Sequence, residues 1–366
     1  MNNEFIPVMK PKLPNLNLVS KFIVKMDTNQ IYSNQGPILL EAERKLSEFL
    51  GVDPDTVALC TSATQGMIGL ASLSNVPGYL VPNFSFLASP LSMITAKKDI
   101  VLCDVNKDLR IDLDTELVVP DYGLLDVMAF GDNYLNFTDY AKFPNVIIDA
   151  AASLANFQGI LKNIPTNISI VFSLHATKIM GIGEGGLVFS SDKGLIRLFK
   201  QYINFGFGEH RIPQFLGTNG KLSEISSCYI LSNLENWLDE KNDWQNVNKK
   251  IDSLQNELKL TDISINHRGI NPYWIIQLDN LEIRNRLKLY LFEKHIETRL
   301  WWQCFHSISY LKPYSSKSSY TNSKNFYDTQ LGLPKFRGMT SAQVDRIYQA
   351  LVEFQKKFNL KISSSI

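Results

Sequence analysis

The sequence predicts an α/β protein built on a mostly parallel sheet. Its runs TVALCT, GYLVP, DIVLCDV, DVMAF, NVIIDA and ISIVFS have strand length and β-branched content. Several are apolar throughout, as strands buried on both faces of a parallel sheet are. Helical patterns fall between them, the alternation that lays helices on a sheet.

Taken in order, residues 1 to about 35 are rich in Pro and Asn and lack periodicity, which predicts an extended arm. From Pro37 the run LLEAERKLSEFL spaces its apolar residues as a helix does, and Gly51 stops it. ATQGMIGLASL and the stretch after Phe84 supply helices between strands, and this large domain, arm included, spans residues 1–235. After Trp237 the texture changes. WLDEKNDWQNVNKKIDSLQNELKL reads as a polar helix, YWIIQLDN as a strand, and RNRLKLYLFEKH and VDRIYQALVEFQKKF as helices. Residues 236–366 therefore form a smaller α+β domain, with SSKSSYTNSKN as a Ser/Asn-rich loop.

The chain has 366 residues, 37 Lys+Arg against 36 Asp+Glu, and 45% hydrophobic residues. That composition suits a core needing no metal or disulfide staple. The balanced charge argues against a general nucleic-acid binder. Cys60, Cys103, Cys228 and Cys304 are too scattered for zinc sites built from close pairs. MNNEFIPVMKPKLP has no apolar signal core, and the apolar stretch Gly78 to Ala96 is broken by Pro82 and Pro90. A soluble, cytoplasmic protein is expected.

Parallel sheets present functional groups at the carboxyl ends of their strands. NVIID ends on Asp149, ISIVFS ends on Ser173, and Lys178 follows in FSLHATKIMGIGEGG. TVALC runs into Thr61-Ser62-Ala63-Thr64, small residues opening a helix, which suits an anion. One cofactor would use these features together. Pyridoxal 5′-phosphate (PLP) takes a lysine for a Schiff base, a carboxylate for its pyridine nitrogen, a phosphate cup and an aromatic face. Lys178, Asp149, Ser173 with Thr64, and Phe86 would fill those roles. Taken singly, the lysine and the aspartate read as surface charges, Thr64 and Ser173 as helix caps, and Phe86 as core. GIGEGG follows the lysine segment instead of joining a strand to a helix, so it makes a poor dinucleotide loop.

The segments NQGPILLEAERKLSEFLGV, TSATQGM, VPNFSFLAS, VIIDAA, FSLHATKIMGIGEGG, NFGFG, GTNGKLSE and LGLPKFRGMT, in this order, carry a specific resemblance. The chain resembles the DegT/DnrJ/EryC1/StrS family of PLP-dependent nucleotide-sugar aminotransferases, of the fold type I, aspartate aminotransferase-like group. The resemblance implies a seven-stranded-type, mostly parallel sheet flanked by helices, with the smaller domain following it. It matches Lys178 to the Schiff-base lysine and Asp149 to the pyridinium partner. Thr64, Gln65 and Ser173 match phosphate contacts, and Phe86 the stacking aromatic. Asn219 matches an asparagine reaching the phosphate of the neighbouring subunit of a homodimer, and LSEISSCYILSNLENWL then offers an apolar helix face to that partner. Ala63 stands in the cofactor loop where a glycine is usual. Ala152 stands where many members carry Gln or His. Arg211 is a candidate for the substrate diphosphate. His306 and the pair Trp301-Trp302 fall toward the sugar, with core packing as the alternative reading.

The implied activity is amination of a nucleotide-linked keto-deoxysugar, a dTDP- or UDP-linked 4-keto-6-deoxyhexose, with L-glutamate as donor. Its product would serve a bacterial surface polysaccharide such as a lipopolysaccharide O-antigen. A 3-keto sugar aminotransferase, a small amino-acid transaminase and a catalytically idle PLP-binding regulator stay open. A sugar dehydratase is disfavoured because such members lack the lysine that Lys178 matches.

Overall fold

The computed structural model describes residues 4–114, 119–258, 269–315 and 320–358. Its main sheet contains β1 (Val57–Cys60), β2 (Gly78–Pro82), β3 (Asp99–Cys103), β4 (Gly123–Val127), β5 (Val146–Asp149), β6 (Ile168–Ser173) and β7 (Gly186–Ser190). The strand order is β1-β7-β6-β5-β4-β2-β3. β7 runs antiparallel to both neighbours, and every other pairing is parallel. Two successive reversals restore β1 to the direction of β6. Cys60, Asp149 and Ser173 therefore all end at one edge.

Helices cover both faces. On one lie α1 (Leu16–Asn29), α2 (Pro37–Leu50) and α7 (Glu224–Glu235), packed on Leu59, Ile148, Ile170 and Phe172. On the other lie α3 (Ala63–Leu73), α4 (Ala88–Thr95) and α6 (Lys193–Tyr202), against Ala58, Leu125, Ile147 and Val171. The short α5 (Phe137–Tyr140) follows β4. The expected stop holds, Gly51 adopting φ 75° after α2, while the cap of α3 is Ser62 and not Thr64: Ser62 Oγ accepts from the Gln65 N–H. A third cluster joins the antiparallel pair β8 (Trp274–Gln277) and β9 (Gln330–Leu333) to α8 (Trp237–Leu258), α9 (Leu281–Glu293) and α11 (Ser341–Phe358). No helix among the described residues is long and apolar enough to cross a membrane.

Several expectations need correction. The N-terminal segment is not simply an extended arm: α1 forms, capped by Asn15, because Val19, Phe22 and Met26 share one buried stripe. The run DVMAF is only partly strand. β4 ends at Val127, and the apolar Met128–Phe130 leave the sheet, Met128 and Ala129 lining a cavity and Phe130 stacking on Trp302. β7 was hidden by the glycines before it. Of SSKSSYTNSKN, residues 316–319 lie outside the described residues. Its residues from Thr321 onward open α10 (Thr321–Thr329), whose first N–H groups are taken by the Asp104 carboxylate. Finally, α7 spends Cys228, Ile230 and Leu231 inside its own chain, against α1 and α2. Its buried Glu224 accepts from the Ile38 and Leu39 N–H groups, capping α2 where Gly36 has no side chain to do so.

Candidate active site

A cavity of about 480 Å³ opens at the carboxyl edge of the sheet. Asp149, Lys178, Thr64, Ser173, Phe86 and Ala63 all line it, although up to 115 residues separate them in the chain. Asp149 forms the floor and is 5% exposed. Its Oδ2 accepts from Ser89 Oγ at 2.7 Å and its Oδ1 from the Ala151 N–H at 3.1 Å. Burial pushes the Asp149 carboxyl above the usual range, against the opposing pull of Ser89, Ala151 and the Lys178 charge. Among the described residues no cationic side chain pairs with it directly. A buried acid so placed suits a cationic N–H donor from a bound group.

Lys178 lies in the hairpin from β6 to β7. Backbone bonds from Leu174 to Gly185 and from Ala176 to Gly183 close that hairpin. The glycines of GIGEGG serve this turn: a Cβ at Gly181 would lie 2.5 Å from the His175 carbonyl oxygen. The lysine Nζ donates to the Tyr273 hydroxyl at 2.9 Å.

The anion cup begins where β1 enters α3. The first N–H groups of a helix have no intrahelical partner, and here Ala63 and Thr64 deliver theirs beside the cavity. Ser173 Oγ accepts from the His175 N–H at 3.1 Å, which leaves its own proton free to donate. β7 passes unusually close: a Cβ at Gly186 would lie 2.4 Å from the Ser62 carbonyl carbon. Opposite the cup, Phe86 is 58% exposed, with its ring centroid 6.3 Å from that of Trp302. Trp302 stacks on Phe130 at 5.0 Å and 4°.

Four candidates lie outside the cavity lining. Gln65 turns away from it, packs on Gly220, and leaves its buried Nε2 without a partner. Asn219 is exposed and its Oδ1 accepts from Lys221. Arg211 is exposed in left-handed backbone, 5.9 Å from the Phe207 ring centroid. His306 is held by Asn83 through its ring and its backbone N–H, and stacks on Tyr320 at 4.8 Å. Partial burial lowers its pKa. Of the tryptophan pair, both rings line the cavity, Trp301 buried and Trp302 half-buried. Ser89 and Tyr273 were missed. Ser89 was within reach of motif reading, inside VPNFSFLAS, whereas nothing in the sequence ties Tyr273 to a lysine 95 residues before it.

Buried acid, lysine, anion cup and aromatic wall fit pyridoxal 5′-phosphate, and comparison with known proteins gives the same class, the PLP-dependent aminotransferases. Residues 142–352 match the DegT/DnrJ/EryC1/StrS aminotransferase family, and the chain belongs to that family. It is 27% identical over 375 residues to a dTDP-4-amino-4,6-dideoxy-D-glucose transaminase of Escherichia coli, covering 95% of this chain and 91% of that one. For the Shigella dysenteriae protein of the same name, the match covers 62% of this chain and 64% of that protein. A GDP-perosamine synthase of Escherichia coli O157:H7 is 23% identical, with 96% and 99% covered. Among solved structures, a putative PLP-dependent aminotransferase from Bacillus cereus superposes with TM-score 0.84 at 25% identity, covering 95% of this chain and 100% of that one. Helicobacter pylori PseC, an aminotransferase of pseudoaminic acid biosynthesis, gives TM-score 0.83 at 18% identity and shares the fold, with 97% and 100% covered.

Proposed function

We propose that the protein transfers the amino group of L-glutamate to a nucleotide-linked keto-deoxysugar, a dTDP- or UDP-linked 4-keto-6-deoxyhexose. The observation that carries this reading is the presence of buried Asp149 and of Lys178 in one cavity, beside a helix N-terminus and an aromatic wall. The names of the full-length relatives support a nucleotide-sugar substrate.

When bound, PLP supplies an electron sink for the charge left on a substrate carbon that loses its proton. The chain's residues do the rest. Asp149 holds a proton on the ring nitrogen, and the low-polarity floor around it strengthens that charge-assisted hydrogen bond. Ser173, Thr64 and the first N–H groups of α3 bind the phosphate and fix the ring's position. Phe86 and Trp302 exclude water from one side. Lys178 would supply the amine that attaches the cofactor and, displaced from it by the amine of glutamate, would take the proton of the substrate carbon onto its own Nζ.

Two subunits would share each site in a homodimer, with Asn219 reaching the partner's phosphate, and its exposed position outside the cavity of its own chain suits that role. The product would feed a surface polysaccharide made from cytoplasmic precursors. Incubation with glutamate and dTDP- or UDP-linked 4-keto and 3-keto sugars, read by mass spectrometry, tests the reading. The expected product carries an amine in place of the 4-carbonyl, with 2-oxoglutarate formed in equal amount. Amination at position 3 would correct the regiochemistry. Loss of water, or no reaction with any of these sugars, would overturn the proposal.

A further inference from the structure

We propose that Tyr273 is the positioning residue for Lys178, its hydroxyl holding the Nζ in place through both protonation states of the amine. The inference rests on the transaminase reading, in which that amine gains and loses a proton in each half-reaction. The hydroxyl lies 2.9 Å from Nζ. A hydroxyl both donates and accepts, so it satisfies an ammonium as acceptor and a neutral amine as donor. A carboxylate at that distance would hold the lysine charged and oppose its use as a base.

The tyrosine is fixed from several sides. Its N–H donates to Asn271 Oδ1 at 3.0 Å, and buried Lys335 donates to both the Tyr273 carbonyl and Asn271 Oδ1. Phe130 and Trp301 enclose its ring edge-to-face, at 5.4 and 4.9 Å between centroids. Trp301 reaches that position because residue 332 is glycine: a Cβ there would lie 2.0 Å from the indole nitrogen. The hydroxyl therefore has little freedom to follow another partner. The other titratable or charged groups lining the cavity are Asp149 from β5, His175 and Glu184 from the hairpin, and Arg299 from the segment before β9. None of them is hydrogen-bonded to Nζ in the structure.

Tyr273→Phe keeps the ring and its packing and removes only the hydroxyl. In cofactor-free protein, acylation of Lys178 at one fixed pH can be followed by peptide mass spectrometry. Its rate is expected to rise about two-fold or more, since Nζ is no longer tied to the hydroxyl. In loaded protein, turnover with glutamate should fall about ten-fold or more with KM nearly unchanged, and the isotope effect of 2-deuterated glutamate should rise. An unchanged acylation rate together with an unchanged isotope effect would reduce Tyr273 to a packing residue and overturn the proposal. If wild-type protein shows no exchange with glutamate, the transaminase reading fails, while the acylation rate still decides whether Tyr273 holds Lys178.

Discussion

Asp149 is buried among apolar strands, and its carboxyl is held above the usual range by that burial. A folded pKa above the unfolded one stabilises the chain at low pH, and that contribution is lost as pH rises through the folded value. Above that value an ionised Asp149 weakens the cofactor-free fold, and a bound cationic ring offsets the cost. Cofactor-free Asp149→Asn should melt above cofactor-free wild type at pH 7, with the gap closing toward acid. Loaded, the order should reverse, because the variant should bind PLP about ten-fold or more weakly. Thermal melts with and without PLP check both signs, and equal cofactor affinity in the two proteins would contradict the role given to Asp149. Residues such as Asp149 and Lys178 were legible because they end or follow buried strands inside ordered motifs. Gln65 and His306 also sit in suggestive sequence, yet motif spacing fixes backbone position and not side-chain direction. Packing on Gly220 and hydrogen bonds to Asn83 take these two elsewhere.

Elements whose ends carry their own chemistry were the most readable. Gly51 closes α2 and Ser62 opens α3 as their residue types require. α1 was hidden because Leu16, Ile23 and Val24 lie exposed outside the stripe of Val19, Phe22 and Met26 and blur its periodicity. α7 is divided: Cys228, Ile230 and Leu231 pack toward α1 and α2, while Ile225 is 50% exposed. If subunits share sites, the loop from Asn204 to Asn219, where these two residues pair and Leu216 is 84% exposed, would take part in the contact. Asn219→Ala subunits mixed with Lys178→Ala subunits should then recover activity, because each heterodimer has one site free of both changes. Verified heterodimers no more active than either parent would place Asn219 in cis or remove its role.

The whole molecule gathers the site by sheet order. Six crossing or reversing connections bring the ends of β1, β5 and β6 to one edge, so residues far apart in sequence line one cavity. The parallel core announces itself through continuous apolar strands. The contribution of Tyr273 does not, since it depends on how the segment around β8 and β9 seats against that edge. The account stands or falls on Lys178 as the residue that carries the cofactor. Borohydride reduction of the PLP-loaded protein, followed by digestion and peptide mapping, tests this most directly. The label should appear on the peptide containing Lys178. It should vanish, together with the absorbance of the bound cofactor, in Lys178→Ala, and persist in Lys200→Ala, whose lysine is paired with Glu43 away from the cavity. A label on any other lysine of the wild-type protein would contradict the account.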